Sequence, residues 1–213
     1  MIMKMINGAI DVISMLMKGQ WKWVFYKIYN KLLGIDLASC PLHTLGLSEQ
    51  TSVGYFDSGG PDLEVVLRSL SINNGDAILD IGCGKGGAMI TLSKYPFRYV
   101  DGVDMSKRLI SAAKMNLKKA RCSKTQLFCA EASTFNNYDK YNFIYMFNPF
   151  PCNIMQSVIL NINKSISNNP RIITIIYKNP VCHDTIIRES SFKVILELKH
   201  SLDHPFWVYR NSL

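Results

Sequence analysis

The sequence predicts an open α/β sheet of about seven strands, mostly parallel, with helices on both faces and a helical extension in front. Three observations carry this. From Ala77 onward short apolar runs alternate with helical patterns, which implies right-handed crossovers and a parallel sheet covered on both faces. The first run, "AILDI", passes into a helix through "GCGKGG", residues 82–87, the junction at which open α/β sheets bind ligands. The last two runs, "FKVILELKH" and "FWVYR", have only "SLDH" and Pro205 between them, which predicts an antiparallel hairpin at one edge.

In chain order, residues 1–50 read as the extension and 51–213 as the domain. Residues 20–33 place Trp21, Val24, Phe25, Ile28 and Leu32 on one face, with Lys18, Lys22, Lys27 and Lys31 around the flanks. Such a basic amphipathic helix caps a core or lies on an anionic membrane surface; the cap is the expectation. The greasy start is interrupted by Lys4, Asp11, Lys18 and Lys22, so no apolar span of about 20 residues exists, and no cleavage site of a signal peptide stands out. "PDLEVVLRSLS", residues 61–71, carries Pro in its first turn and a stripe of Leu63, Val66, Leu67 and Leu70, a leading helix. Strand and helix then alternate through "GAMITLSKY", "YVDGVD", "KRLISAAKMNLKKA", "TQLFCA", "YNFIYMF", "CNIMQSVILNINKSI", "RIITIIY" and "DTIIRES".

The chain is 213 residues, 48% hydrophobic and 19% charged, a globular composition that excludes wholesale disorder. The net charge of +8 is spread without a block of like charges, so a nucleic-acid partner is not expected. Cys40, Cys83, Cys122, Cys129, Cys152 and Cys182 form no CxxC pair and have no His at zinc spacing. They read as free thiols of a reduced, cytoplasmic protein without a metal site.

The glycine loop satisfies G-x-G-x-x-G through Gly82, Gly84 and Gly87, and G-x-G-x-G through Gly82, Gly84 and Gly86. Charge separates the two. Asp80 sets a carboxylate where a pyrophosphate would lie, whereas S-adenosylmethionine has no phosphate and carries an ammonium and a sulfonium that a carboxylate favours. A second acid, Asp104, ends the next strand, where it can accept both ribose hydroxyls or cap the helix that follows. A third, Glu131, ends the strand after that.

These stretches, "LDIGCGKGG", "GVDMS", "AEAS" and "FNPFP" in that order, resemble the class I S-adenosylmethionine-dependent methyltransferases, a Rossmann-like fold, over about residues 55 to 213. More narrowly the chain looks like small bacterial members with a "Y-x-N-P" turn, here Tyr177, Asn179 and Pro180. The resemblance implies that Asp80, Gly82, Cys83, Gly84 and Gly86 hold the methionine part of S-adenosylmethionine, Asp104 and Met105 the ribose, and Glu131 and Ala132 flank the adenine. Tyr55, in "SVGYFDSGG", is expected to close over the cofactor, with Asp57 the alternative.

"FNPFP" stiffens the end of a strand with two prolines. It is similar to the N-P-P-Y/F motif of amine methyltransferases, which implies that Asn148 contacts both cofactor and acceptor and that Phe150 packs beside them; here the aromatic stands one residue early. A hydroxyl acceptor would need a base, for which His183 is the best placed by sequence. The expected activity is methyl transfer to a small-molecule or glycan acceptor. Alternatives are a protein methyltransferase, an inactive cofactor-binding protein and, remotely, an NAD-dependent oxidoreductase. The expected compartment is the cytoplasm, with peripheral contact at the inner face of the membrane as the variant that the basic helix allows.

Overall fold

A computed structural model of the chain describes residues 20–46, 48, 50, 52, 54–199 and 204–212; what the sequence predicts for residues 1–19 lies outside them. Seven strands form one sheet in the order β3-β2-β1-β4-β5-β7-β6. They are β1 (Ala77–Ile81), β2 (Tyr99–Asp104), β3 (Leu127–Cys129), β4 (Phe143–Phe147), β5 (Thr174–Lys178), β6 (Lys193–Leu198) and β7 (Phe206–Arg210). The first five pair in parallel, and β7 pairs antiparallel with both β5 and β6.

Burial explains the composition of the strands. Every residue of β1 and β5 is buried, so both faces must be apolar and the runs read as continuous rather than alternating. The edge strand β6 alternates exposed and half-buried residues instead. On one face α6 (Cys152–Asn168) and α7 (His183–Glu189) bury Met155, Val158, Ile159, Ile162 and Ile186. On the other, α3 (Pro61–Arg68), α4 (Gly87–Leu92) and α5 (Lys107–Lys119) bury Leu63, Val66, Met89, Leu92 and Leu117. Each such side chain contributes about 1.5–3 kcal/mol on leaving water.

The extension contains α1 (Trp21–Leu32) and a short turn of helix, α2 (Leu42–Leu45). The expected cap is present, with the opposite face inward. Val24, Tyr26 and Asn30 are buried, while Trp21, Phe25, Ile28 and Leu32 of the predicted stripe are exposed. The inner contacts are aromatic rings with polar tips: Trp23 Nε1 donates to Asp62 Oδ1 at 3.3 Å and Tyr26 Oη to Asp57 Oδ2 at 3.0 Å. Asp36 then pairs with Lys85 at 2.8 Å, and Cys40 and Tyr55 exchange backbone bonds of 3.0 and 2.9 Å.

The thiol expectation also needs correction. Cys152 and Cys182, 30 residues apart, form a disulfide with a Cα–Cα distance of 5.3 Å, while Cys40, Cys83, Cys122 and Cys129 are free. Each bridged cysteine stands at the start of a helix after an Asn-Pro turn, a juxtaposition made by the neighbouring strands β4 and β5 that no CxxC spacing announces. Among the described residues no helix is long and apolar enough to cross a membrane, and no cluster suited to a metal ion occurs.

Candidate active site

Strand order reverses between β1 and β4, and the cleft opens at the carboxyl ends of these strands, as the crevice rule for open sheets requires. The glycine loop is its floor. Gly82 and Cys83 donate backbone hydrogen bonds to Val103 O at 2.9 and 3.1 Å, which ties the loop to β2. Gly82, at φ +76°, lies so close to Pro149 that a Cβ would collide with the proline ring, and Gly84, at φ +54°, lies as close to the Tyr55 ring. Glycine is needed here for its missing side chain as well as its backbone angle.

Beneath this floor Asp80 is 2% exposed and its Oδ2 has no hydrogen-bond partner among the described residues. Burial, and then the charge of Asp104, push its carboxyl well above the ordinary carboxylate range. Asp104 accepts from Gly84 N at 2.9 Å through Oδ2 and from Ser106 N at 2.8 Å through Oδ1. Burial raises its pKa and these two bonds pull it back in part. The helix cap itself belongs to Ser106, whose Oγ accepts from Leu109 N at 3.3 Å. Glu131 follows β3 with its side chain exposed.

The nearest cation in sequence turns away from these acids. Lys85 is buried, reaching Asp36 and lying 5.6 Å from the centre of the Tyr55 ring. A buried carboxylate oxygen without a donor costs free energy comparable to a lost hydrogen bond or more, so the floor is suited to a cationic ligand. That chemistry fits the ammonium of S-adenosylmethionine and disfavours a pyrophosphate.

Against the glycine loop stands the elbow after β4, with Pro149 beside Gly82. Asn148 has φ +35°, and Asn179, after β5, has φ +54°. Both precede a proline, which clashes with a right-handed α conformation, and Asn tolerates the left-handed one better than most residues. Both residues line the cleft, and neither carboxamide hydrogen-bonds to another described residue. Phe150 is buried but lines the same wall, beside Phe147 and His204, whose rings lie 5.5 Å apart.

Residues 78–168, which hold the glycine loop, the acids and the elbow, match the family model described as a methyltransferase domain. The chain carries a methyltransferase domain in the fold of the class I S-adenosylmethionine-dependent methyltransferases. Over 142 residues, 65% of this chain and 70% of the other, it is 28% identical to the "Probable cobalt-precorrin-6B C(15)-methyltransferase (decarboxylating)" of Methanococcus maripaludis. Among solved structures, a SAM dependent methyltransferase from Aquifex aeolicus superposes with a TM-score of 0.54 at 18% identity, covering 70% of this chain and 88% of that one. Magnesium protoporphyrin IX methyltransferase from Synechocystis, with bound SAM, gives 0.53 at 14% identity over 70% and 76%. At these identities the structural likeness is one of fold.

This methyltransferase brings Tyr55, Gly82, Cys83, Gly84, Asp104, Met105, Glu131, Ala132, Asn148 and Phe150 to one cleft. Two of the predicted site residues are elsewhere. Asp80 lies under the floor, and Gly86, the N-cap of α4, faces Ala113 and Leu117 of α5. Asp57 turns from the cleft toward Tyr26 and Gly59 N, at 3.0 Å each. His183 is not in the wall: its ring packs edge-on against Trp207 and its Nδ1 is 3.1 Å from Tyr209 Oη. His204 is there instead, together with Ser52, Phe56, Ser58 and Phe147. His204 is delivered by the return of the chain into β7, which nothing local marks, whereas Ser52, Phe56 and Ser58 come from the "SVGYFDSGG" stretch and Phe147 ends β4 at the start of "FNPFP".

Proposed function

We propose that this methyltransferase alkylates a small-molecule or glycan acceptor seated against the β4 elbow. The observation that carries the proposal is Asn148, which lines the cleft beside the glycine loop at φ +35°, its carboxamide without a hydrogen-bond partner among the described residues. S-adenosylmethionine, when bound, supplies an electrophilic methyl group. Gly82, Cys83 and Gly84 would hold its methionine part, with the Asp80 carboxyl beneath them, Asp104 and Met105 the ribose, and Glu131 and Ala132 the adenine, under Tyr55. Asn148 would accept a hydrogen bond from the acceptor and orient it, and Phe150 would pack against its body and exclude water.

The rings of Phe56, Phe147, Phe150 and His204 favour a planar acceptor. A cobalt precorrin, the acceptor kind named for the archaeal relative, is the first compound to test, alongside untargeted mass spectrometry for a gain of one methyl group in cell extracts. With an acceptor in hand, Asn148→Ala should cut turnover about a hundredfold, the cost of a reacting atom misplaced by about 1 Å, and leave S-adenosylmethionine affinity near wild type by calorimetry. A lower melting temperature with full activity per folded molecule would mean that Asn148 serves only its turn.

A further inference from the structure

Among the described residues nothing covers the outward face of α1. Trp21, Phe25, Ile28 and Leu32 follow one another at intervals of four, three and four residues and make a single stripe along the helix, about 18 Å long at 1.5 Å per residue. They are 54%, 65%, 43% and 81% exposed, with Tyr29, at 56%, beside them. The helix cannot roll to bury the stripe. Trp23 and Tyr26 pin the other face through Asp62 and Asp57, and the Trp23 ring lies against Gly60.

Charge says what covers such a face. Lys22, Lys27 and Lys31 are exposed on the same helix, which has no acidic residue. Lys22 Nζ lies 5.5 Å from the centre of the Trp21 ring, and that ring meets Phe25 edge-on at 6.0 Å. A second copy of the face would set lysines against lysines. Residues 1–19 hold Lys4 and Lys18 against a single acid, Asp11, and offer these lysines no charge complement either. An anionic lipid surface does: its headgroups pair with the lysines while Trp, Phe, Ile and Leu enter the boundary with the acyl chains, the indole being suited to that depth.

We infer that α1 docks this methyltransferase on an anionic membrane surface, lying in the plane of the headgroups. The anchor is continuous with the cleft. Tyr26 on its inner face holds Asp57, in the same segment as Tyr55, Phe56 and Ser58 of the cleft wall.

The test is flotation of the full chain with vesicles of phosphatidylglycerol and phosphatidylcholine, and with phosphatidylcholine alone. Binding is expected to the anionic vesicles only, weakening as salt rises and the screening length falls from about 10 Å at 0.1 M to about 3 Å at 1 M. The combined variant Trp21→Ser, Phe25→Ser, Leu32→Ser should bind about a hundredfold more weakly and still bind S-adenosylmethionine like the wild type. If it has lost the cofactor, Leu32→Ser alone replaces it, with an expected loss of about fivefold. No binding to anionic vesicles overturns the inference. So does undiminished binding by the variants, which would put the anchor in residues 1–19. A concentration-dependent dimer that the triple variant abolishes, without vesicle binding, assigns the face to a second copy and overturns it equally.

Discussion

Asp80 shows how far a residue can be read before its surroundings are known. Its place one residue before the end of β1 was legible; that it would lie under the loop rather than in the cleft was not, because depth depends on how Gly82 to Gly84 fold over it. The consequence is a pH dependence whose sign is fixed. Burial raises its carboxyl pKa, so the folded protein keeps a proton that the unfolded chain releases near pH 4. The stability from this group is complete below about pH 4 and is lost as pH rises toward the folded value. A bound cation favours the carboxylate, so binding expels that proton. S-adenosylmethionine affinity should climb as pH rises above about 4 toward the raised value of the free protein, with proton release visible by calorimetry in two buffers of different ionisation enthalpy. Asp80→Asn should flatten the climb; an unchanged profile in that variant would remove Asp80 from cofactor binding. Lys85 and His204 were illegible for a related reason. The reach of Lys85 to Asp36, and the place of His204 on the cleft wall, depend on chain segments far apart in sequence.

Elements were legible where their own pattern decides them. "AILDI", "YVDGVD" and "FWVYR" are bounded as β1, β2 and β7, since each is a short apolar run closed by turn residues. For α1 the period is right and the face is wrong. Counting apolar residues selects the stripe that stays outside, because the inner face works through Trp23 and Tyr26, whose polar tips need the acids that α3 and the segment before it present. The absence of cofactor motifs before residue 50 suggests that the extension is dispensable for cofactor binding; its contacts say otherwise. A chain starting at Leu47 loses the partners of Asp57, Lys85 and Tyr55 together. Its affinity for S-adenosylmethionine should fall about tenfold or more, since hydrogen bonds involving charged groups contribute about 1.5–3 kcal/mol. Calorimetry on the truncated chain, with circular dichroism to establish that it folds, checks this; wild-type affinity would make the extension an appendage.

At the scale of the whole molecule, alternation and the crevice rule were enough to place the glycine loop and the β4 elbow on one cleft. The disulfide between the two Asn-Pro turns was not readable, since it joins residues that only the pairing of β4 with β5 brings together. The position of β7 has a consequence for how the protein is made. The last strand to be synthesised lies between β5 and β6, so during translation β5 has one open edge and β6 has no partner at all. At about 5–20 residues per second, the stretch from the end of β6 through β7 takes about one to two seconds to appear, and until then both strands are exposed templates for mispairing. Removal of residues 205–213 makes that interval permanent. It deletes Phe206, Val208 and Tyr209, all buried, together about 5–9 kcal/mol at the usual worth of such side chains, which is the size of a domain's whole net stability. Chains cut there should be found with the insoluble fraction on expression, whereas loss of Ser212 and Leu213 alone should be silent.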